Sequence, residues 1–266
     1  MQFCSREYYD ALRSKSILVL TFHKTGTALW KCVLRAEAEA GHAYITEVQP
    51  NTLVSTTLLE SPSQFFFSEH GLIDIEKSLI ANPMRVILSI RDPLRVIVSG
   101  YWYHRQKPPS EGWVNTKWRL MPELKPVVHR FHDLRMFDHM SYIDLLRSVN
   151  ITEGLDIEFL RAHGELQRMC RNYNELLKCS FQRSLIIRFE RMQRNYVESI
   201  QHIQQQLQYN FSFVTNACAP TLHLSGRHSV TSKLSLEGLT KAEYYLCQHS
   251  PYKDQIASLR KFCDYA

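Results

Sequence analysis

The segment Thr21-Phe-His-Lys-Thr-Gly-Thr27 joins an apolar run to the start of a helical pattern. A helix N-terminus carries backbone N–H groups with no partner inside the helix, and a partial positive charge; both suit a phosphate. Gly26 lets the backbone curl closely around an anion. Lys24 supplies a point charge, and the hydroxyls of Thr25 and Thr27 can donate hydrogen bonds. The same residues also read as a tight strand–helix turn with a surface lysine, because short motifs recur by chance. A second segment, Ile90-Arg-Asp-Pro-Leu-Arg-Val-Ile-Val-Ser99, puts Arg91 after another apolar run and Ser99 eight residues on. Asp92 suits a helix N-cap and Pro93 the first helical position. A strand-end guanidinium and a hydroxyl on the following helix can grip one phosphate from two sides.

Both segments need strands and helices to position them. Ser16 to Phe22, Ser63 to Ser68, Met84 to Ile90 and Ser184 to Phe189 are short runs rich in strand formers. Leu29, Cys32, Val33 and Ala36 share one face of a helix expected over Gly26 to Ala40, which Gly41 stops. Further helices are expected over Ile73 to Ala81, from Asp92 to about Tyr103, over 139–149 and 156–178, and from Met192 to Gln208. Residues 105–127 hold Pro108, Pro109, Pro122 and Pro126 with Trp113 and Trp118, and read as a long functional loop. Strands alternating with helices imply an α/β fold, with a central parallel sheet flanked by helices on both faces. Ligands in such sheets bind beyond the carboxyl ends of the strands. Residues 23–28, 91–99 and 189–191 all follow expected strands, so they can converge.

The chain has 266 residues, enough for one large domain or two small ones. It shows no repeat and no linker rich in Gly, Ser or Pro, so one domain over 1–266 is expected. Lysine and arginine number 32 against 26 acids, a net +6, which favours anionic partners. No block of five or six basic residues occurs, so nucleic acid is not among the expected partners. Seven cysteines, an odd number with no Cys-x-x-Cys, argue against zinc-ribbon and thioredoxin sites. They read as thiols in a reducing compartment, and the expected location is cytoplasmic. Met1 to Lys15 is charged and lacks an apolar core, unlike a signal peptide. No apolar run approaches the roughly 20 residues of a membrane span, so no membrane partner is expected. Asn150-Ile-Thr152 fits the glycosylation pattern, which is common by chance.

The first segment is not a Walker A loop, which places its lysine after a second glycine. It resembles the phosphosulfate loop of sulfotransferases that use 3′-phosphoadenosine 5′-phosphosulfate (PAPS), whose cytosolic members read Thr-Tyr-Pro-Lys-Ser-Gly-Thr-Thr-Trp. His23 stands for their proline, as in some Golgi carbohydrate members. Ala28 and Leu29 replace Thr-Trp, and Trp30 comes one position late. The Arg91-to-Ser99 spacing is similar to the family's 3′-phosphate motif. Ile187-Arg-Phe-Glu-Arg-Met192 resembles its Arg-Tyr-Glu-Asp-Leu segment, with Phe189 where an aromatic lies near the adenine; a core residue at a strand end reads the same way. Leu224-Ser-Gly-Arg-His228 sits where the family closes a basic loop over the 3′-phosphate, which makes Arg227 a candidate with Lys233 behind it. The resemblance covers about 16–100 and 184–235, the cofactor-binding parts, and leaves 105–180 to the acceptor side.

The resemblance implies sulfuryl transfer from PAPS to a hydroxyl or amine of a small-molecule or carbohydrate acceptor, leaving adenosine 3′,5′-bisphosphate. No metal is required, and no metal-ligand spacing is present. His23, Lys24, Thr25, Gly26, Thr27, Ala28, Arg91, Ser99, Phe189 and Arg227 are the implied cofactor residues, with Lys24 and the amides of 26–28 at the leaving group. The base is expected after the second strand, in Phe67-Ser-Glu-His70. His70 resembles the base of the cytosolic Lys-Thr-His, and Ser68 stands in place of that lysine. Glu69 competes, since some Golgi members use a carboxylate; a plain surface His before Gly71 is the third possibility. Two other readings stay open: a small P-loop kinase with Asp92 as its acid, and a nucleotide-binding scaffold that kept the fold and lost the base. The acceptor and the oligomeric state are not legible.

Overall fold

Runs in which every residue is apolar suit strands covered on both faces. The computed structural model of the chain describes residues 16–41, 43–48, 65–71, 85–106, 111–125, 139–178, 184–209 and 236–265. The expected runs form its strands: β1 (Ile17–Leu20), β3 (Phe65–Ser68), β4 (Arg85–Ile90) and β5 (Ser184–Arg188). A further strand, β2 (Ile45–Glu47), was not expected; three residues, two partly buried and one exposed, are too few to show a pattern. All pairs are parallel, in the order β2-β3-β1-β4-β5. Leu18 lies between Phe66 and Val86, and Ile90 lies opposite Arg188. Ile17 and Val19 on one face and Leu18 and Leu20 on the other are all at most 1% exposed, so both faces are buried. The architecture is thus the expected α/β type, a central parallel sheet flanked by helices.

The described residues fall into two compact units. One takes those up to Arg91 and those between Arg168 and Ser225; the other takes those from Asp92 to Gln167 and from Gly226 on. The first holds the sheet with α1 (Thr27–Glu39), α5 (Phe189–Arg194) and α6 (Tyr196–Leu207). Trp30 and Val33 of α1 and Ile200 and Ile203 of α6 pack with Ile17, Val19, Phe65, Phe67 and Ile87. Phe189 was expected to end a strand; it begins α5 instead, and the expected single helix from Met192 is two, joined at Asn195.

The second unit holds α2 (Pro93–Arg105), α3 (Tyr142–Ser148), α7 (Leu236–Gln248) and α8 (Lys253–Phe262). It also holds α4 (Ile151–Lys178) up to Gln167; from Arg168 that helix belongs to the first unit. α4 starts five residues earlier than expected, because Asn150 and Glu153 form a capping box. Asn150 Oδ1 accepts from the Glu153 amide at 2.9 Å, and Glu153 Oε2 accepts from the Asn150 amide at 3.3 Å. The glycosylation-like Asn150-Ile-Thr152 is therefore a helix cap. Where described, the 105–127 loop contains three short 3₁₀ turns, at Gly112–Asn115, Trp118–Leu120 and Pro122–Leu124. The helix expected over 73–81 lies outside the described residues. No described helix is long and apolar enough to cross a membrane.

Candidate functional site

In a parallel sheet the carboxyl ends of neighbouring strands share one edge. Here Leu20 is opposite Ser68, and Ile90 is opposite Arg188. Adjacent strands run about 4.8 Å apart. The segments after β3, β1, β4 and β5 are therefore neighbours, and they carry most of the residues singled out above.

The loop after β1 is held by its own threonines. The Phe22 amide donates to Thr25 Oγ1 at 2.8 Å, and the Thr25 hydroxyl donates to Phe22 O at 2.9 Å. Thr25 is fully buried. The Thr27 hydroxyl lies 3.0 Å from both Phe22 O and Thr21 Oγ1. Both hydroxyls thus shape the loop from within. Lys24 (φ 63°) and Gly26 (φ 104°) have left-handed backbone. For lysine this costs of order 1–3 kcal/mol, a strain that clusters at ligand clamps. No side chain caps α1, and its first turn holds no acid. The first amides of α1 and the partly exposed Lys24, Gly26 and Thr27, with exposed Ala28, form a surface whose chemistry fits a phosphate.

β4 braces this loop from the side. Ser89 Oγ donates to Thr25 O, and Arg91 Nη1 donates to Lys24 O at 3.0 Å. The Arg91 guanidinium lies 5.1 Å from the Phe189 ring centroid, and its Nε is 3.9 Å from a Glu190 carboxylate oxygen. The Phe189 ring in turn lies against Gly26: a Cβ there would sit 2.8 Å from Phe189 Cδ2. Gly26 is needed for its φ and for its missing side chain.

After β3 the chain turns sharply through Glu69–Gly71, with His70 at φ 71° and Gly71 at φ 53°. A Cβ on Gly71 would come within 2.3 Å of the Phe22 ring, and Asn172 Nδ2 donates to Gly71 O at 3.2 Å. Glu69 Oε2 accepts from Lys31 Nζ of α1 at 2.6 Å, and Glu47 Oε1 of β2 is 3.5 Å from the same nitrogen. Burial works against the Lys31 charge, but Glu69 and Glu47 outweigh it and hold the Lys31 pKa above its usual value. Glu69 and His70 are both partly exposed.

The structure brings His23–Ala28, Arg91 and Phe189 to one edge, with Glu69 and His70 at the end of the next strand. Ser99 sits in the second unit on α2, 9% exposed. Arg227 and Lys233 lie outside the described residues. Trp30, one position late for the family's aromatic, is fully buried against the sheet and serves as core. Sequence reasoning missed Lys31, Ser89 and Glu190. Glu190 adjoins a flagged residue, and Ser89 is a polar residue inside an apolar strand; both were visible signals. Lys31 had none, because its partners, Glu47 on β2 and Glu69 in the turn after β3, are distant in sequence.

The second unit has its own buried polar cluster, also missed. Glu158 is fully buried; its Oε2 is 2.8 Å from His104 Nδ1 and accepts from Tyr142 Oη at 2.5 Å. Its Oε1 accepts from Arg161 Nε at 2.9 Å and Nη2 at 2.7 Å. Burial alone would raise the Glu158 pKa; Arg161 and then His104 reverse this and bring it to about 2. Trp113 covers the cluster, 4.9 Å from the His104 ring and 5.4 Å from the Arg161 guanidinium.

Comparison with known proteins then gives three findings. The family model described as sulfotransferase domain matches residues 14–245. Among solved structures the chain is similar to mouse sulfotransferase SULT7A1 complexed with PAP. The two share 16% identity with a TM-score of 0.42, over 98% of this chain and 93% of that one. None of the curated proteins matches the sequence.

Proposed function

The chain belongs to the sulfotransferase domain family, and on that premise we propose that it moves the sulfuryl group of PAPS to a hydroxyl or amine of a small-molecule or carbohydrate acceptor. The observation that carries this reading is the cradle at Gly26. Its left-handed backbone and the uncapped start of α1 suit an anion, and the Phe189 ring leaves no space there for a side chain. When bound, PAPS supplies the sulfuryl group, and the bond from sulfur to the 5′-phosphate oxygen breaks as the acceptor atom bonds to sulfur.

The residues divide the work. Lys24 and the amides of Gly26–Ala28 meet charge that develops on the leaving oxygen, a task for preorganised donors. This charge is met without a metal. Arg91 and Ser99, assigned by their spacing, hold the 3′-phosphate together with Arg227. Phe189 flanks the adenine, with His23, Thr25 and Thr27 shaping the loop. His70 takes the acceptor's proton, as an imidazole can near neutral pH. We favour His70 over Glu69 because His70 resembles the base of the cytosolic members; the Glu69 carboxylate pairs with Lys31 at 2.6 Å.

We read residues 1–266 as one sulfotransferase-like domain. A cytoplasmic location accords with Cys32, Cys170, Cys247 and Cys263 being thiols. The test is turnover with labelled PAPS across a panel of phenol, alcohol, amine and sugar acceptors. Label should move to at least one acceptor class, with adenosine 3′,5′-bisphosphate released. Binding without transfer to any class would favour a scaffold, and phosphoryl transfer from ATP would favour a kinase.

A further inference from the structure

Asp92 does more than start α2. Its Oδ1 accepts from the Leu94 amide at 3.0 Å, as an N-cap carboxylate does, and the same oxygen accepts from Arg260 Nε of α8 at 3.1 Å. The Asp92 side chain is 10% exposed and that of Arg260 is 27% exposed, so the pair is largely shielded. Leu259 and Cys263, on either side of Arg260 in sequence, are buried. One turn into α2, Arg95 Nη2 pairs with Glu243 of α7 at 3.4 Å. The start of α2 is thus gripped from both C-terminal helices. Arg260 lies beyond the residues the family model matches, which end at 245. Nothing in the family pattern assigns it a role.

We infer that Arg260 is a positioning residue for nucleotide recognition: it fixes the Asp92 cap, and through the cap the strand–helix junction that carries Arg91 before it and Ser99 after it. This rests on the sulfotransferase reading, which gives Arg91 and Ser99 to the 3′-phosphate. A carboxylate that caps one amide can still rotate. A guanidinium bound to the same oxygen restricts that freedom. Without Arg260 the Asp92 cap is held less firmly, and the first turn of α2 loosens.

The test compares adenosine 3′,5′-bisphosphate with adenosine 5′-monophosphate, which lacks the 3′-phosphate, by calorimetry on the full chain. Arg260→Ala should weaken the bisphosphate about tenfold, the scale of a charged hydrogen bond discounted for partial exposure. The monophosphate should change less than about twofold. In turnover, KM for PAPS should rise with kcat nearly unchanged. Arg260→Lys should recover part of the loss. Asp92→Asn keeps a capping side chain and loses the charge pair, so it should reproduce the selective defect, and the double variant should be no worse than either single one. Equal losses for both nucleotides, or an unchanged bisphosphate affinity in either folded variant, overturn the inference. If the wild-type chain does not prefer the bisphosphate at all, it is the sulfotransferase reading that fails.

Discussion

The Phe189 ring fills the space that a side chain at Gly26 would need, with Cδ2 placed 2.8 Å from the position of such a Cβ. The same ring carries the Arg91 guanidinium 5.1 Å from its centroid, and Arg91 donates to Lys24 O. Three segments distant in sequence therefore determine one loop conformation.

Gly26→Ala should destabilise the protein by about 1–3 kcal/mol, since it adds a Cβ at φ 104° and drives it into the ring. Urea unfolding measures this. In the Phe189→Ala background the collision is gone but the backbone strain is not, so Gly26→Ala should cost less there than in the wild type, yet still cost something. No cost of Gly26→Ala in that background would mean that φ at this position is not constrained.

For the base, His70→Asn is the informative change, because asparagine tolerates the left-handed φ of 71° seen at this position. Turnover should drop on the order of 10²–10⁴ with little change in nucleotide affinity. Glu69→Gln should have a much smaller effect, as should Lys31→Met, which releases Glu69. Loss of turnover in Glu69→Gln with activity kept in His70→Asn would assign the base to the carboxylate.

Most of this frame was legible in the sequence. Ile17–Leu20 and Arg85–Ile90 are apolar at nearly every position, and Asp92-Pro93 announces α2. What was not legible depends on tertiary placement. β2 is three residues long and gains its identity only from pairing with Phe65–Phe67. Phe189 reads as a strand residue by propensity, yet the chain has already turned into α5. The Thr25 hydroxyl looked available to a ligand, and the fold uses it to close its own loop on Phe22. Asn150 and Glu153 were readable as a capping box three residues apart, and would have placed the start of α4 correctly.

Glu158 ties stability to pH. Its pKa is near 2 in the fold, against 4.5 ordinarily. A carboxyl lowered in the folded state adds stability that is complete above its unfolded range and lost as pH falls toward the folded value. Glu158→Gln should cost about 3–5 kcal/mol at neutral pH, because Arg161 and His104 lose a buried carboxylate partner. The gap between wild type and variant, measured by urea unfolding, should narrow steadily below about pH 4. A gap that does not depend on pH would mean that Glu158 is not ionised in the fold.

The central claim is that this chain binds a 3′-phosphorylated adenine nucleotide at the Gly26 cradle for sulfuryl transfer. The most direct measurement is the shift in melting temperature with adenosine 3′,5′-bisphosphate against ATP at equal concentration. At about 100 times its Kd the bisphosphate should add about 2.7 kcal/mol by mass action. For a chain of this size that is a rise of roughly 5–10 °C. ATP, which lacks the 3′-phosphate, should shift the transition far less. Equal shifts with both nucleotides, or none with the bisphosphate, would contradict the account.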